Sequence, residues 1–166
     1  MINKTKILTL FLSLINGNPI PRQINDSGMS ILARSESLRL DAYPDGKLWT
    51  IGWGTTRIGG KPVVDGMKIT WSEANDLLNR DLRQFEQEVE DMVEVEMTGN
   101  QFSALVCFVY NIGGDQFRNS TLLKFLNQGE YEKAAQEFPR WVHSKGKRLP
   151  GLAARRRLEM ELFLTE

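Results

Sequence analysis

Two carboxylates able to do acid–base chemistry and one hydroxyl able to hold a water follow one another closely in the first third of the chain. Glu36, Asp45 and Thr50 are separated by nine and five positions, and Glu36 lies where a predicted helix ends. The carbonyl groups and dipole at a helix C-terminus disfavour a negative charge by a few tenths of a kcal/mol up to about 1 kcal/mol. General acid catalysis requires a glutamate kept partly protonated near neutral pH. Glu36 is therefore a candidate proton donor, although a solvated glutamate at a helix end fits the same position.

Asp45 is the candidate partner of that glutamate. It lies in Tyr-Pro-Asp-Gly-Lys, a turn sequence that needs no catalytic explanation, and Asp41 in the preceding strand-like segment is its rival. A hairpin that folds back would place Asp45 opposite Glu36, and two facing carboxylates around a sugar are the minimal machinery of a glycosidase. The hydroxyl of Thr50 would hold a water beside Asp45, or Thr50 simply favours a strand.

The composition argues against other kinds of site. The single cysteine, Cys107, lies in an apolar run, which predicts a core position and excludes an internal disulfide. The single histidine, His143, argues against a zinc site and a Ser-His-Asp triad. Net charge is zero, so the molecule as a whole is no polyanion binder. We therefore expect carboxylate chemistry with no metal, no cofactor and no nucleic acid partner.

The elements around these residues predict a small sheet. Residues 25–36 have the pattern of a helix capped by Asn25 or Ser27. Residues 38–66 interleave glycine and proline with tryptophan, isoleucine and valine, which is typical of short hairpins. The three candidate residues therefore lie where a helix gives way to a hairpin.

The rest of the chain predicts helices. Thr70 and Glu73 form a capping box before an apolar stripe with spacings of three and four residues. Thr98 opens the next helix with a second capping box, and Ser120 precedes another helix. The outline is α+β: a small sheet lobe, a long connecting helix and a helical lobe, with a cleft between the lobes for an extended substrate.

The N-terminal segment is set apart by the prolines at 19 and 21. Its apolar run is shorter than the about 20 residues that span a bilayer, so we expect no transmembrane anchor. Thr9, Ser13 and Asn16 share one helical stripe, which predicts a helix packed on the core, with a signal-type segment as the alternative. We divide the chain into an N-terminal helical extension, 1–22, and a catalytic domain, 23–166.

The run E-x8-D-x4-T-I-G-W-G, from Glu36 to Gly54, strongly resembles the active-site segment of phage-type lysozymes, the endolysins of glycoside hydrolase family 24. The similarity continues in VDGMKIT, YNIGGDQFRNSTLLKFLNQGEYEKAA and EFPRWVHSKGKRLPGLAARRRLEMELFL, in the family's order. It covers roughly residues 23–164. The resemblance implies a lysozyme-like two-lobed fold. The β lobe would lie at about 37–67, the connecting helix at about 71–91 and the helical lobe at about 97–166.

That family hydrolyses the β-1,4 bond between N-acetylmuramic acid and N-acetylglucosamine in peptidoglycan. The resemblance implies that Glu36 is the proton donor, that Asp45 is the partner carboxylate and that Thr50 positions the water, with inversion as the usual outcome. Many relatives have one residue more between the aspartate and the threonine, so this hairpin turn is shorter. Relatives also often carry histidine where this chain has Thr55.

The resemblance also implies that Tyr110, Asn111 and Ser120 face the glycan from the helical lobe, where core packing suits Tyr110 and a helix N-cap suits Ser120 as well. It implies a monomeric endolysin that leaves the host cytoplasm for the cell wall by an export route that the sequence leaves open. The alternatives are a lytic transglycosylase, which needs only the glutamate, and a non-catalytic wall-binding module.

The basic C-terminal region raises a further hypothesis. Its helix, 152–164, carries Arg155, Arg156 and Arg157 beside leucine and phenylalanine, which suits contact with an anionic envelope surface. An amphipathic helix packed on the core gives the same pattern.

Overall fold

The computed structural model describes residues 21–165. The predictions of a packed helix or a signal-type segment at the N-terminus therefore lie outside the described residues. Within the described part, no helix is both long enough and apolar enough to cross a membrane.

Helices dominate the described chain, and its short strands pair as three antiparallel hairpins. The helices are α1 (Asp26–Ser35), α2 (Trp71–Met92), α3 (Gly99–Ile112), α4 (Gly114–Arg118), α5 (Thr121–Asn127), α6 (Tyr131–Ala135) and α7 (Pro150–Leu164), with a 3-10 turn at Phe138–Arg140. The strands are β1 (Arg39–Asp45), β2 (Leu48–Gly52), β3 (Arg57–Ile58), β4 (Lys61–Pro62), β5 (His143–Ser144) and β6 (Lys147–Arg148). This order is the predicted α+β arrangement.

The β1–β2 hairpin closes through a two-residue loop. Asp45 pairs with Leu48 across it, and Gly46 adopts φ +61° at the first loop position, where glycine is favoured in such turns. The hairpin is held to the rest of the lobe by hydrogen bonds such as that from the Ile69 amide to the Leu40 carbonyl, 2.9 Å. Asp45 is therefore at the tip of a tight, well-defined turn.

Helix α2 joins the sheet lobe to the helical lobe. Its predicted capping box is present, because the Thr70 hydroxyl accepts from the Glu73 amide and the Glu73 carboxylate accepts from the Thr70 amide. Its buried face carries the predicted apolar stripe, including Leu78, Leu82 and Val89. The helix packs on both β2 and α3, so it fixes one lobe relative to the other.

Helix α3 is the centre of the helical lobe, and its residues from 102 to 109 are all buried. Phe108 makes edge-on contacts with Phe117, Phe138 and Trp141, at ring-centroid distances of 6.3, 5.0 and 5.5 Å. Cys107 is a core residue as predicted. Because helices α1 and α7 both pack on α3, this one helix fixes the position of α1, which ends at the cleft, relative to α7.

Helix α1 approaches α3 closely through a glycine. An ideal Cβ on Gly28 would lie 2.6 Å from Ile24 Cγ1 and 2.9 Å from the Ser103 Cβ. The Asn25 side chain caps the helix as predicted, and the Asn25 amide donates to the Ser103 hydroxyl at 2.9 Å. These contacts fix the direction of α1 and hence the place where Glu36 emerges from it.

We predict that Gly28→Ala destabilises the protein by about 1–3 kcal/mol, because the added methyl group overpacks the contact between α1 and α3. Thermal unfolding measures the change. Gly151→Ala on α7 is the matched control, since its Cβ would meet no heavy atom within 4 Å. Equal melting temperatures for the two variants would contradict the close packing of α1.

Candidate active site

A cleft of about 500 Å³ lies between the sheet lobe and the helical lobe. Its walls come from the end of α1, the segment after β2, strand β3 and helices α2 and α3. The lining residues are Glu36, Trp53, Gly54, Thr56, Arg57, Arg80, Asp81, Gln84, Phe85, Tyr110 and Asn111. The mixture of aromatic rings, amides and charged groups suits a polar ligand with apolar faces.

Glu36 is the C-cap of α1, as predicted, and its amide donates to the Leu32 carbonyl at 2.9 Å. Its carboxylate forms an ion pair with the Arg155 guanidinium, and 25% of the side chain is exposed. The positive charge of Arg155 offsets the unfavourable field at the helix end. The glutamate is therefore anchored on one side and open to the cleft on the other.

Arg155 belongs to a buried network of charges on α7. Its Nε atom donates to Glu159 Oε1 at 2.9 Å, and Arg156 Nε lies 3.1 Å from Glu159 Oε2 in ion-pair contact. The side chains of Arg156 and Glu159 are fully buried. Burial raises the pKa of Glu159 to about 7, and the two guanidiniums oppose this rise.

The network also reaches Asn111, one of the two predicted binding residues of α3, and the other, Tyr110, binds the sheet lobe. Arg156 Nη2 donates to the Asn111 side-chain oxygen at 2.7 Å. The Tyr110 hydroxyl donates to the Trp53 carbonyl at 2.7 Å, a contact that joins the two lobes across the cleft. Burial, with Glu36 and Asp81 nearby, raises the pKa of Tyr110, so its phenol remains a neutral donor. The structure thus brings Glu36, Tyr110 and Asn111 to one cleft.

Asp45 and Thr50 occupy different surroundings. Among the described residues, the cleft lining includes Glu36 but neither Asp45 nor Thr50. Asp45 is exposed at the hairpin tip, and Thr50 is buried in β2 opposite Tyr43. Burial raises the pKa of Tyr43; the charge of Asp45 adds to the rise, Arg39 opposes it and Glu36 adds a smaller contribution. The pairing of the two carboxylates across a substrate stays a prediction.

Ser120 is a helix cap at a second hollow. Its hydroxyl accepts from the Leu123 amide at 3.0 Å, which confirms the predicted N-cap of α5. It lines a separate depression of about 340 Å³ with residues that include Arg118, Lys124 and Asn127. Glycan contact by Ser120 stays a prediction.

Thr55, the position where relatives often have histidine, is bonded to a cleft residue. Its hydroxyl donates to Asp81 Oδ2 at 2.7 Å, and the Thr55 side chain is buried. Arg80 Nε donates to the other Asp81 oxygen at 2.9 Å. Asp81 is thus held by a hydroxyl group, and the Thr55 hydroxyl does not change its charge near neutral pH as a histidine would.

The buried arginines correct one hypothesis from the sequence. Arg155 and Arg156 are enclosed and paired, so they do not form a surface for an anionic envelope. Arg157 alone of the three is exposed, 3.8 Å from Glu161. The spacing of arginines at 155 and 156 and glutamate at 159 places all three within ion-pair reach on one helix, and that signal was in the sequence.

We predict that Thr55→Val lowers the free energy of unfolding by about 1 kcal/mol, because Asp81 loses a hydrogen bond that is only partly replaced by water. Thr55→Ser keeps the hydroxyl and is the control. Urea unfolding at pH 7 measures both variants. Equal stability of the Val and Ser variants would show that the hydroxyl does not hold Asp81.

We predict that Glu159→Gln becomes more stable relative to the wild type as the pH rises from about 5 to 8. A carboxyl whose pKa is higher in the folded than in the unfolded state contributes stability at low pH and loses it as the pH passes its folded value. Glutamine does not titrate, so it escapes that loss. Urea unfolding across this range tests the trend, with exposed Glu161→Gln as the control. A difference in stability that is constant with pH would contradict the raised pKa.

Comparison with known proteins gives the same fold. The family model described as Phage lysozyme matches residues 33–159. The endolysin of Bacillus phage PZA is 42% identical over 144 residues, which are 85% of this chain and 55% of that protein. The endolysin of Salmonella phage P22 is 39% identical over 145 residues, which are 86% of this chain and 99% of that protein.

A solved structure extends the match to three dimensions. The muramidase domain of SpmX from Asticaccaulis excentricus has a TM-score of 0.80 and 33% identity, over 87% of this chain and 99% of that one. The predicted lysozyme-like fold is confirmed. The chain spans about half the length of the PZA relative and nearly the whole of the P22 protein. This chain belongs to the phage lysozyme family.

Proposed function

We propose that this chain is an endolysin that hydrolyses the β-1,4 bond between N-acetylmuramic acid and N-acetylglucosamine in bacterial peptidoglycan. The observation that carries the proposal is the Glu36 carboxyl, open to the cleft between the lobes and held from behind by a buried arginine. The relatives named endolysin and the neighbour named a muramidase domain support it. The wall would be reached after release from the host cytoplasm, and the protein would act there as a monomer.

In this proposal Glu36 donates a proton to the glycosidic oxygen as the bond breaks. A bound glycan covers the exposed part of the Glu36 side chain and excludes water from the bond that breaks. Arg155 keeps the carboxyl pointed at the cleft while it shares its charge with Glu159. The developing positive charge on the sugar ring is then stabilised by a second carboxylate.

Asp45 is the proposed second carboxylate, with Thr50 beneath it in the hairpin. In inverting glycosidases the two carboxyl groups lie about 6.5–9.5 Å apart, with room for the attacking water between the sugar and the base. Asp45 would activate that water from the hairpin tip. Tyr110 and Asn111 would contact the glycan from the opposite wall, where Arg156 holds the Asn111 amide.

A lytic transglycosylase is the second candidate, and one observation favours it. Glu36 lines the cleft and Asp45 does not, whereas a transglycosylase needs only one acid–base glutamate because a muramyl hydroxyl replaces water as the nucleophile. A non-catalytic wall-binding module is the third candidate, and it would bind walls without cleaving them.

We predict that Glu36→Gln still binds purified walls but lowers the rate of turbidity loss of a wall suspension by at least about 100-fold, because the proton donor is gone. Glu161→Gln is the control, since that carboxyl is exposed on the far part of α7. Near-native lysis by Glu36→Gln would refute the assignment of the acid.

Product analysis separates the three candidates. Mass spectrometry of digested peptidoglycan should find reducing muramic ends, and Asp45→Asn should lower their rate of formation. Products with 1,6-anhydro ends would show that the reaction is transglycosylation and not hydrolysis. Undigested walls that carry bound protein would leave the wall-binding module as the function.

A further inference from the structure

Glu159 does not line the cleft, yet its carboxylate forms ion pairs with two arginines that each bind a residue of the cleft lining. Each of its carboxylate oxygens forms an ion pair with one arginine: Oε1 with Arg155 and Oε2 with Arg156. The far ends of these arginines hold Glu36 and Asn111, and both of those residues line the cleft. One buried carboxylate is therefore connected, through two arginines, to two residues that line the cleft.

We propose that Glu159 is a positioning residue that sets the geometry of Glu36 and Asn111 through the two arginines that it holds. The inference rests on the proposed function, and it adds a determinant that makes no contact with substrate.

Helix geometry explains why one carboxylate must bind both arginines if their side chains are to point the same way. Neighbouring residues on an α-helix point about 100° apart, so Arg155 and Arg156 would diverge if each followed its own direction. Glu159 lies four residues after the first and three after the second, which places it beside both. The two guanidiniums converge on the α1–α3 side of α7 because the same carboxylate binds both.

Stability is a poor explanation for these charges. Arg156 and Glu159 are completely buried, and removing such groups from water costs several kcal/mol per ion, so well-packed apolar residues in their place are often equally stable. Burying these charges costs free energy, and the arginines bind two cleft residues. The orientation that they give to Glu36 and Asn111 is therefore the better explanation. The charged and titratable groups around Glu159 are Arg155 and Arg156 on α7, Glu36 on α1 and Cys107 on α3.

Other contacts limit the expected effect. Arg155 also donates to the Cys107 carbonyl at 2.8 Å, and the Arg156 guanidinium stacks 4.8 Å above the Phe108 ring. Loss of the Glu159 charge would therefore shift the arginines rather than release them. Small displacements of a catalytic group cost about 100-fold in rate, so a loss of about 10- to 100-fold is expected.

The test compares Glu159→Gln with Glu161→Gln, which makes the same change of charge on the exposed side of the same helix. Soluble peptidoglycan fragments are used as substrate, and kcat, KM and the pH–activity profile are measured on folded protein. For Glu159→Gln we expect kcat to fall about 10- to 100-fold. Its pH–activity profile should change shape, because Glu159, whose pKa is raised by burial, no longer titrates beside Arg155 and Arg156. Glu161→Gln should match the wild type in all three.

A wild-type kcat and pH profile in Glu159→Gln, with only a lower melting temperature, would overturn the inference and leave a structural role. An inactive wild type would instead overturn the proposed function. If Glu159→Gln does not fold, Glu159→Asp keeps the charge on a shorter side chain. It should then lose kcat while the pH–activity profile keeps its wild-type shape, and unchanged kcat in that variant would contradict the positioning role.

Discussion

The ion pair between Arg155 and Glu36 is the contact on which the site depends. It joins the last described helix to the end of the first across 119 positions of sequence. Glu36 is the C-cap of α1, and its side chain is bound from a different helix, α7. The guanidinium is buried and is held in turn by Glu159 and the Cys107 carbonyl, so the carboxyl meets a fixed partner. A rigid cation behind an accessible acid gives preorganisation that a solvated side chain lacks.

The fold supplies that contact through α3. This helix is buried over most of its length, and α1 and α7 pack both on it and on each other. Its C-terminal turn presents Tyr110 and Asn111 to the cleft, and the Tyr110 hydroxyl reaches the Trp53 carbonyl in the sheet lobe. One core element therefore carries both helices of the ion pair and part of the binding wall, so packing and function are coupled.

Local patterns predicted the elements well, because caps and apolar spacing act within a few residues. The capping box at Thr70, the Asn25 cap and the end of α1 at Glu36 all follow from such short-range rules. The site was predicted only in part. The partner of Glu36 lies on the last helix, and no local rule reveals a pair so distant. The basic run on that helix therefore suggested a surface, although two of its arginines are buried. The position of Asp45 relative to Glu36 likewise depends on how the hairpin packs.

A double-mutant cycle between Glu36 and Arg155 tests the central claim most directly. The free energies of unfolding of the wild type, Glu36→Gln, Arg155→Met and the double variant give the coupling between the two side chains. A pair with one fully enclosed partner should show a favourable coupling of at least about 1 kcal/mol. If the free-energy changes of the two single variants add up to that of the double variant, Arg155 does not hold Glu36, and the proposed origin of the site geometry is wrong.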